Sequence, residues 1–334
     1  MNCRVFHHDH CFDGACSASV FTRFYRECIG AAEFSYHGLM HQAAGVPFDE
    51  SALIDGDNAI VDFKYSTSPK VTWWFDHHQS AFLTPEDRMD FMAWQAQANS
   101  TGEGTKSARQ SGKFYDPNYV SCTGLILDVA ANKFGFSTKG LEELRYWADI
   151  VDGAKYESAD AAVGMTAPAM KLTMVIENSG PGFVTRVIPL LTEMSLQEVL
   201  DQPFIQAELG PRMERHLAGI ELLRERIKLE RDVTTFDITD RITEGYNKFI
   251  PYYLNPTAVY NVGLSRSSFR TKISVGTNPW TTLPVSELAN LAEICESYGG
   301  GGHARVGAVS FAPDKQEDAR KAAGEIAALL RSRA

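Results

Sequence analysis

No apolar run in this 334-residue chain approaches the ~20 residues needed to cross a bilayer. The opening MNCRVFHHDH also lacks the apolar core of an export signal. A cytoplasmic protein is expected. No CxxC pair occurs either: Cys3, Cys11, Cys16, Cys28, Cys122 and Cys295 are scattered through a chain too large to need disulfide staples, so they read as free thiols. An excess of basic residues is missing as well. The net charge of −10 argues against broad binding to long duplex DNA, which calls for a basic surface. It leaves phosphorylated substrates open, because bound divalent cations reverse the local field. What the chain does have is 44% hydrophobic residues, enough at this length for a sizeable core and about two domains.

The most informative stretch is VTWWFDHHQS, residues 71–80. Residues 71–75 form an apolar run of the kind found in the inner strands of an α/β sheet, and it leads directly into Asp76, His77 and His78. Such sheets bind ligands just beyond the carboxyl ends of their strands. Strict alternation would send Asp76 and His78 one way and His77 the other, whereas a loop at the strand end would let all three converge. Residues 3–8 (CRVFHH) read as a first strand. Residues 8–14 then form a polar turn holding His8, Asp9, His10, Cys11, Asp13 and Gly14, and residues 15–28 continue with helical spacing, the opening of a βαβ unit. Residues 59–61 are another short apolar strand, ending at Asp62, while Asp55 and Asp57 flank a glycine and read as turn residues. Residues 84–118, with NSTGEGTKSARQSGK in their midst, read as an exposed loop with the character of a lid. Residues 121–134 and 141–150 are helical in pattern. The second helix leads into Asp149 and Asp152, three apart and so near one face.

Residues 184–195 and 209–231 are helical in pattern and interrupted by Pro189, Pro203 and Pro211. The charged end of this segment reads as a solvated helix with one apolar stripe, and His216 as an ordinary member of it. Strand-like segments return at 233–238, 258–264, 271–275 and 307–311, with a helix over 285–298. Before the last strand stands Gly299-Gly300-Gly301-Gly302-His303. Four glycines in a row suit a backbone that must pass close to a ligand and offer N–H groups to an anion. Ser265-Arg266-Ser267 and Arg270 lie upstream of it.

Together these motifs resemble the DHH phosphoesterase superfamily, in which four acidic or histidine motifs sit at the ends of parallel strands and a C-terminal associated domain carries a GGGH motif. The resemblance covers nearly the whole chain. It rests on His77 and His78, on Asp62 in IVDF, on Asp149 or Asp152, and on His8, Cys11, Asp13 and Gly14, which match an H-x-x-C-x-D-G form of the first motif. It implies an α/β protein with a parallel-sheet DHH domain over 1–185, a helical connector over 186–231 and a smaller α/β substrate-binding domain over 232–334, with the active site in the cleft between domains. His8, Asp13, Asp62, His77 and one of Asp149 and Asp152 would ligate metal, with Asp62 as the bridge. Cys11 stands where an aspartate is usual, and Asp9 is the substitute carboxylate nearby. His78 would face the phosphate and Asp76 would orient a histidine. Gly301, Gly302, His303, Arg266 and Arg270 would hold the far part of the substrate.

Phosphoester hydrolysis needs an activated water and neutralised phosphoryl oxygens, and a metal pair about 3.5–4 Å apart supplies both. Mixed carboxylate and imidazole ligands suit Mn²⁺, expected as two ions, with Mg²⁺ or Co²⁺ as alternatives. A thiolate at Cys11 would favour zinc, or else weaken the first position. The expected partner is a small phosphorylated substrate or short single-stranded nucleic acid: a few-nucleotide RNA, a linear dinucleotide or 3′-phosphoadenosine 5′-phosphate. A homodimer is left open. Polyphosphate or cyclic-dinucleotide hydrolysis is the alternative among enzymes, and a nucleotide-binding protein impaired in catalysis is the alternative outside them.

Overall fold

Strands buried on both faces read as unbroken apolar runs, and the first half of the chain uses them to build a parallel sheet. A computed structural model describes residues 1–41, 49–100, 111–243 and 245–333. In it β1 (Asn2–His8), β2 (Glu33–Leu39), β3 (Asp57–Val61), β4 (Trp73–Asp76) and β5 (Gly112–Tyr115) form one sheet. Its order is β2-β1-β3-β4-β5, and every neighbouring pair is parallel. The direction of winding reverses between β1 and β3, the place where a doubly wound sheet opens a crevice past its strand ends.

Alternation along β4 sends Trp73 and Phe75 to one face and Trp74 to the other. The first face is covered by α1 (Phe12–Phe24), whose Phe21 packs on both rings, and by Phe134 at the end of a later helix. On the opposite face Trp74 meets Phe82, Phe91 and Tyr115. All three β4 aromatics are fully buried, so truncating any one to alanine would cost roughly 3–5 kcal/mol. The helices that follow in this half are α2 (Pro85–Ser100), α3 (Cys122–Phe134) and α4 (Glu142–Asp152). Next come α5 (Ala159–Val163), α6 (Pro168–Glu177), α7 (Phe183–Glu193), α8 (Leu196–Leu200) and α9 (Pro203–Arg226).

The chain divides into two compact units, Met1–Tyr156 with Thr166–Gly210, and Glu157–Met165 with Pro211–Ala334. The second holds a mixed sheet of β6 (Lys228–Glu230), β7 (Val233–Asp237), β8 (Tyr260–Arg266), β9 (Thr271–Thr277), β10 (Gly301–His303) and β11 (Val306–Phe311), with α10 (Ile250–Leu254), α11 (Leu291–Glu296) and α12 (Gln316–Arg331). The order is β10-β11-β9-β8-β7-β6, and only β7 and β8 run parallel. Its core joins Val262, Leu264, Ile273 and Val275 of the sheet to Leu291 of α11 and to Ile326 and Leu330 of α12.

Several expectations need correction. Residues 84–118 are not one loop: α2 occupies the first part and β5 begins at Gly112, while 101–110 lie outside the described residues. A reciprocal cap starts α2, Asp87 N–H donating to Thr84 Oγ1 and Thr84 N–H to Asp87 Oδ2. Phe91 then anchors the helix to the core. Asp57 is not a turn residue but the buried first residue of β3, accepting from the Tyr25 hydroxyl. The helix over 285–298 is split into a 3-10 turn at Val285–Glu287 and α11, because Asn290 accepts from Ala292 N–H and starts a new helix. Pro189 and Pro211 lie inside α7 and α9. In α7 the buried Val187, Ile188 and Leu191 around Pro189 offset a penalty of about 3 kcal/mol.

Candidate metal centre

Three strand ends deliver the chemistry. β1 ends at His8, β3 hands over to Asp62, and β4 ends at Asp76 with His77 and His78 just beyond. Because the strand stops at Asp76, the two histidines escape alternation and their rings come within 4.5 Å of one another. Asp62 adopts a left-handed backbone, φ +58°, and its N–H donates to the Phe75 carbonyl. A non-glycine residue held in that region is strained, and such strain concentrates at functional sites. Asp13, in the first turn of α1, is drawn in by α3: its carboxylate accepts from Cys122 N–H at 2.7 Å and Thr123 N–H at 3.1 Å. Gly14 allows α1 to lie against β1, since a β-carbon there would collide with the His8 carbonyl.

The side chains meet in three overlapping groups, His8 with Cys11 and Asp62, Asp62 with His77 and His78, and Asp13 with His77 and Asp152. Within each group the ligand atoms lie within 4.8 Å of one another. His77 Nδ1 faces the Tyr119 carbonyl at 3.1 Å. A carbonyl only accepts, so Nδ1 carries the proton and Nε2 is left to face the carboxylates. That Nε2 lies 3.5 Å from Asp62, 3.5 Å from Asp152 and 3.9 Å from Asp13. His8 Nδ1 lies 3.5 Å from the other Asp62 oxygen. Asp76 accepts from His77 N–H, His78 N–H and, at 2.6 Å, His78 Nδ1. It therefore fixes the His78 ring and turns Nε2 away from itself.

The electrostatics call for a cation. Burial pushes Asp13 well above the usual carboxylate range and the charges of Asp62 and Asp152 add to it. Burial and Asp62 together push Asp152 up to about 6. Burial opposes charge on Asp62 too, but His77, His8 and His78 outweigh it and hold that carboxyl below its ordinary value. His77 is raised to about 10, because Asp62, Asp13 and Asp152 overcome its burial. Burial, then Asp62 and Asp13, push the Cys11 thiol well up. Both Asp62 oxygens, His8 Nδ1 and His77 Nε2 are buried without a hydrogen-bond partner. Buried polar atoms normally find partners, so four orphans converging on one point fit divalent metal.

Asp149 and Asp152 are now distinguished. Asp152 joins the cluster, whereas Asp149 accepts from Ser121 Oγ at 2.5 Å and lies beside Arg145. Asp9 does not join either: it accepts from His10 N–H and lies 3.7 Å from His10 Nε2. His41 was missed. Its ring lies 4.8 Å from the His8 ring and stacks on Phe63, and only its place in a sequence stretch with no clear pattern hid it.

Arg266, Arg270, Gly301, Gly302 and His303 all lie in the second unit, but its register does not bring the arginines to the histidine. Thr271 opposes Arg266, whereas His303 opposes Val306, which opposes Gly276. Five residues of strand separate the two ends, about 17 Å at ~3.4 Å per residue. The cation beside His303 in sequence is Arg305, whose guanidinium donates to the Asn278 carbonyl. The glycine run has a structural reason too, since β-carbons at Gly300 and Gly302 would strike the carbonyls of Ala308 and Val306 across the hairpin. Gly301 has open space around its would-be β-carbon.

No protein-family model matches the sequence, and no curated protein matches it. Solved structures do. A pGpG-specific phosphodiesterase, PggH of Vibrio cholerae, is similar over 98% of this chain and 99% of its own, with 18% identity and a TM-score of 0.65. The chain shares the fold of that phosphodiesterase over nearly its whole length. Looser likenesses, each with 12% identity and a TM-score of 0.47, link it to two further proteins. One is an exopolyphosphatase-related protein from Bacteroides fragilis (98% of this chain, 93% of that one) and the other the DHH domain of a member of a ribosomal-protein family (97% and 86%). Neither is close enough to carry an argument. At 18% identity the likeness to PggH shows the fold alone, and the chemistry rests on the residues. No described helix is long and apolar enough to cross a membrane.

Proposed function

We propose that the chain is a metal-dependent phosphoesterase acting on a short linear nucleotide, with a dinucleotide as the favoured substrate. The observation that carries this reading is the convergence of unpartnered buried ligand atoms from Asp62, His8 and His77 past the strand ends. The fold shared with a pGpG-specific phosphodiesterase supports the dinucleotide class. His8, Cys11, Asp13, Asp62, His77 and Asp152 would hold the cations. Divalent ions bound there supply positive charge against phosphoryl oxygens and lower the pKa of water, with Mn²⁺ suited to the carboxylate and imidazole donors.

The chain's own groups do the remaining work. Asp13, tethered by the first N–H groups of α3, keeps its carboxylate aimed at the cluster without rotamer freedom. Asp76 holds the Nδ1 proton of His78, which leaves Nε2 to contact a phosphoryl oxygen and to move a proton there. His303 is assigned to binding the substrate away from the scissile bond. A second reading, a nucleotide-binding protein without turnover, is favoured only by the sulfur of Cys11 in the ligand set. A panel separates the two: linear and cyclic dinucleotides, short RNA, phosphoadenosine phosphate and polyphosphate, each with Mn²⁺, Mg²⁺ or Zn²⁺. Turnover of a linear dinucleotide in preference to the rest is expected; binding without hydrolysis of any member would replace the enzyme reading with the sensor.

A further inference from the structure

The ligand atoms around Asp62 fall into two sets of unlike chemistry. His8, Cys11 and Asp62 present one nitrogen, one sulfur and one carboxylate oxygen, while Asp13, His77 and Asp152 present one nitrogen and two carboxylate oxygens. Asp62 is fully buried, and neither of its oxygens has a hydrogen-bond partner. His8 Nδ1, also unpartnered, stands 3.5 Å from it. That is close to the ~3.4 Å edge of a tetrahedron built on metal–ligand bonds of about 2.0–2.1 Å. Folding does not call for sulfur at this place. Cys11 is a free thiol at the N-cap of α1, its sulfur facing the Gly14 N–H, at a position where serine or aspartate would serve the helix better.

We propose that the two positions take different metals. The His8, Cys11 and Asp62 set takes a thiophilic cation of the zinc class, and the Asp13, His77 and Asp152 set, sharing Asp62, takes a hard cation such as Mn²⁺ or Mg²⁺. This rests on the phosphoesterase reading above and refines its metal site. Thiolate and imidazole select zinc and its neighbours, whereas carboxylate-rich sets accept manganese and magnesium. Mn²⁺ alone therefore leaves the sulfur-containing position poorly filled, and full occupancy needs both ions.

The test uses Co²⁺, which reports a sulfur ligand directly. Chelator-stripped full-length protein is titrated with Co²⁺ and followed by absorption; circular dichroism confirms that the Cys11→Ser and Cys11→Asp variants, both good N-cap residues, are folded. The expected result is a sulfur-to-cobalt charge-transfer band in the near ultraviolet that saturates at one ion per chain and is lost in both variants. Stripped wild-type protein given one equivalent of Zn²⁺ and excess Mn²⁺ should retain one of each after desalting. A cobalt-loaded protein without the band, or a band that survives in Cys11→Ser, overturns the proposal and leaves the phosphoesterase reading standing. A protein that binds no divalent cation overturns both.

Discussion

Replacing Asp62 by asparagine removes a charge while sparing the backbone. Asparagine has nearly the same size and is among the residues that tolerate positive φ, which matters at φ +58°. What is lost is the carboxylate facing His8 Nδ1 and His77 Nε2 at 3.5 Å each. A cation present at about 100 times its Kd stabilises the fold that binds it by ~2.7 kcal/mol. For a unit of roughly 200 residues, 1 kcal/mol moves Tm by about 2–4 °C. Adding Mn²⁺ to stripped wild-type protein should then raise Tm by roughly 5–11 °C. In Asp62→Asn the shift should collapse toward zero, and turnover should fall by more than ~10³-fold, because charge neutralisation and water activation are lost together. Thermal melts with chelator and with Mn²⁺, paired with kcat/KM, read both effects. A folded Asp62→Asn protein that keeps the wild-type Mn²⁺ shift and turnover would refute the reasoning.

Asp152→Asn should lose bound metal, whereas Asp149→Asn should keep it and lose about 1 kcal/mol of stability, since Asp149 supports Ser121, the cap of α3; metal analysis and chemical melts distinguish them. His303→Ala should weaken binding of a dinucleotide by roughly 1.5–3 kcal/mol, the scale of a charge-assisted hydrogen bond, seen as a raised KM, with metal content unchanged; a lost metal would place His303 in the metal cluster. In chelator the wild-type protein should lose stability relative to Asp152→Asn as pH rises from 4.5 to 7. Asp152 keeps its proton up to about pH 6 when folded, so its contribution is complete below the unfolded carboxylate value near 4 and is surrendered as pH rises through about 6. His77, raised to about 10, keeps its contribution in full below the unfolded value near 6.5 and surrenders it as pH rises through about 10, and melts across pH in chelator check both.

The strands that place the centre were legible because β3 and β4 are buried on both faces and so wrote themselves as apolar runs ending in Asp62 and Asp76. Their convergence with His8 follows from strand order, which one sequence does not disclose. The choice between Asp149 and Asp152 was closed to sequence, since three residues of helix put both near one face and only the Ser121 hydroxyl decides between them. Arg266 and His303 looked like partners through order along the chain, but pairing depends on register, which sets them at opposite ends of β9. Residues 84–118 misled because polar, glycine-bearing composition masked a capped helix whose one buried aromatic, Phe91, ties it to the core. Cys11 was visible as a departure from the usual motif. Its place within reach of both His8 and Asp62 needed the fold.

The most direct test of the central claim is turnover of a linear dinucleotide by protein stripped with chelator and then reconstituted. The account predicts no hydrolysis after stripping, recovery when Mn²⁺ is restored with one equivalent of Zn²⁺, and no recovery in Asp62→Asn. Hydrolysis that persists undiminished in the stripped protein, or that returns equally in the Asp62→Asn variant, would contradict it.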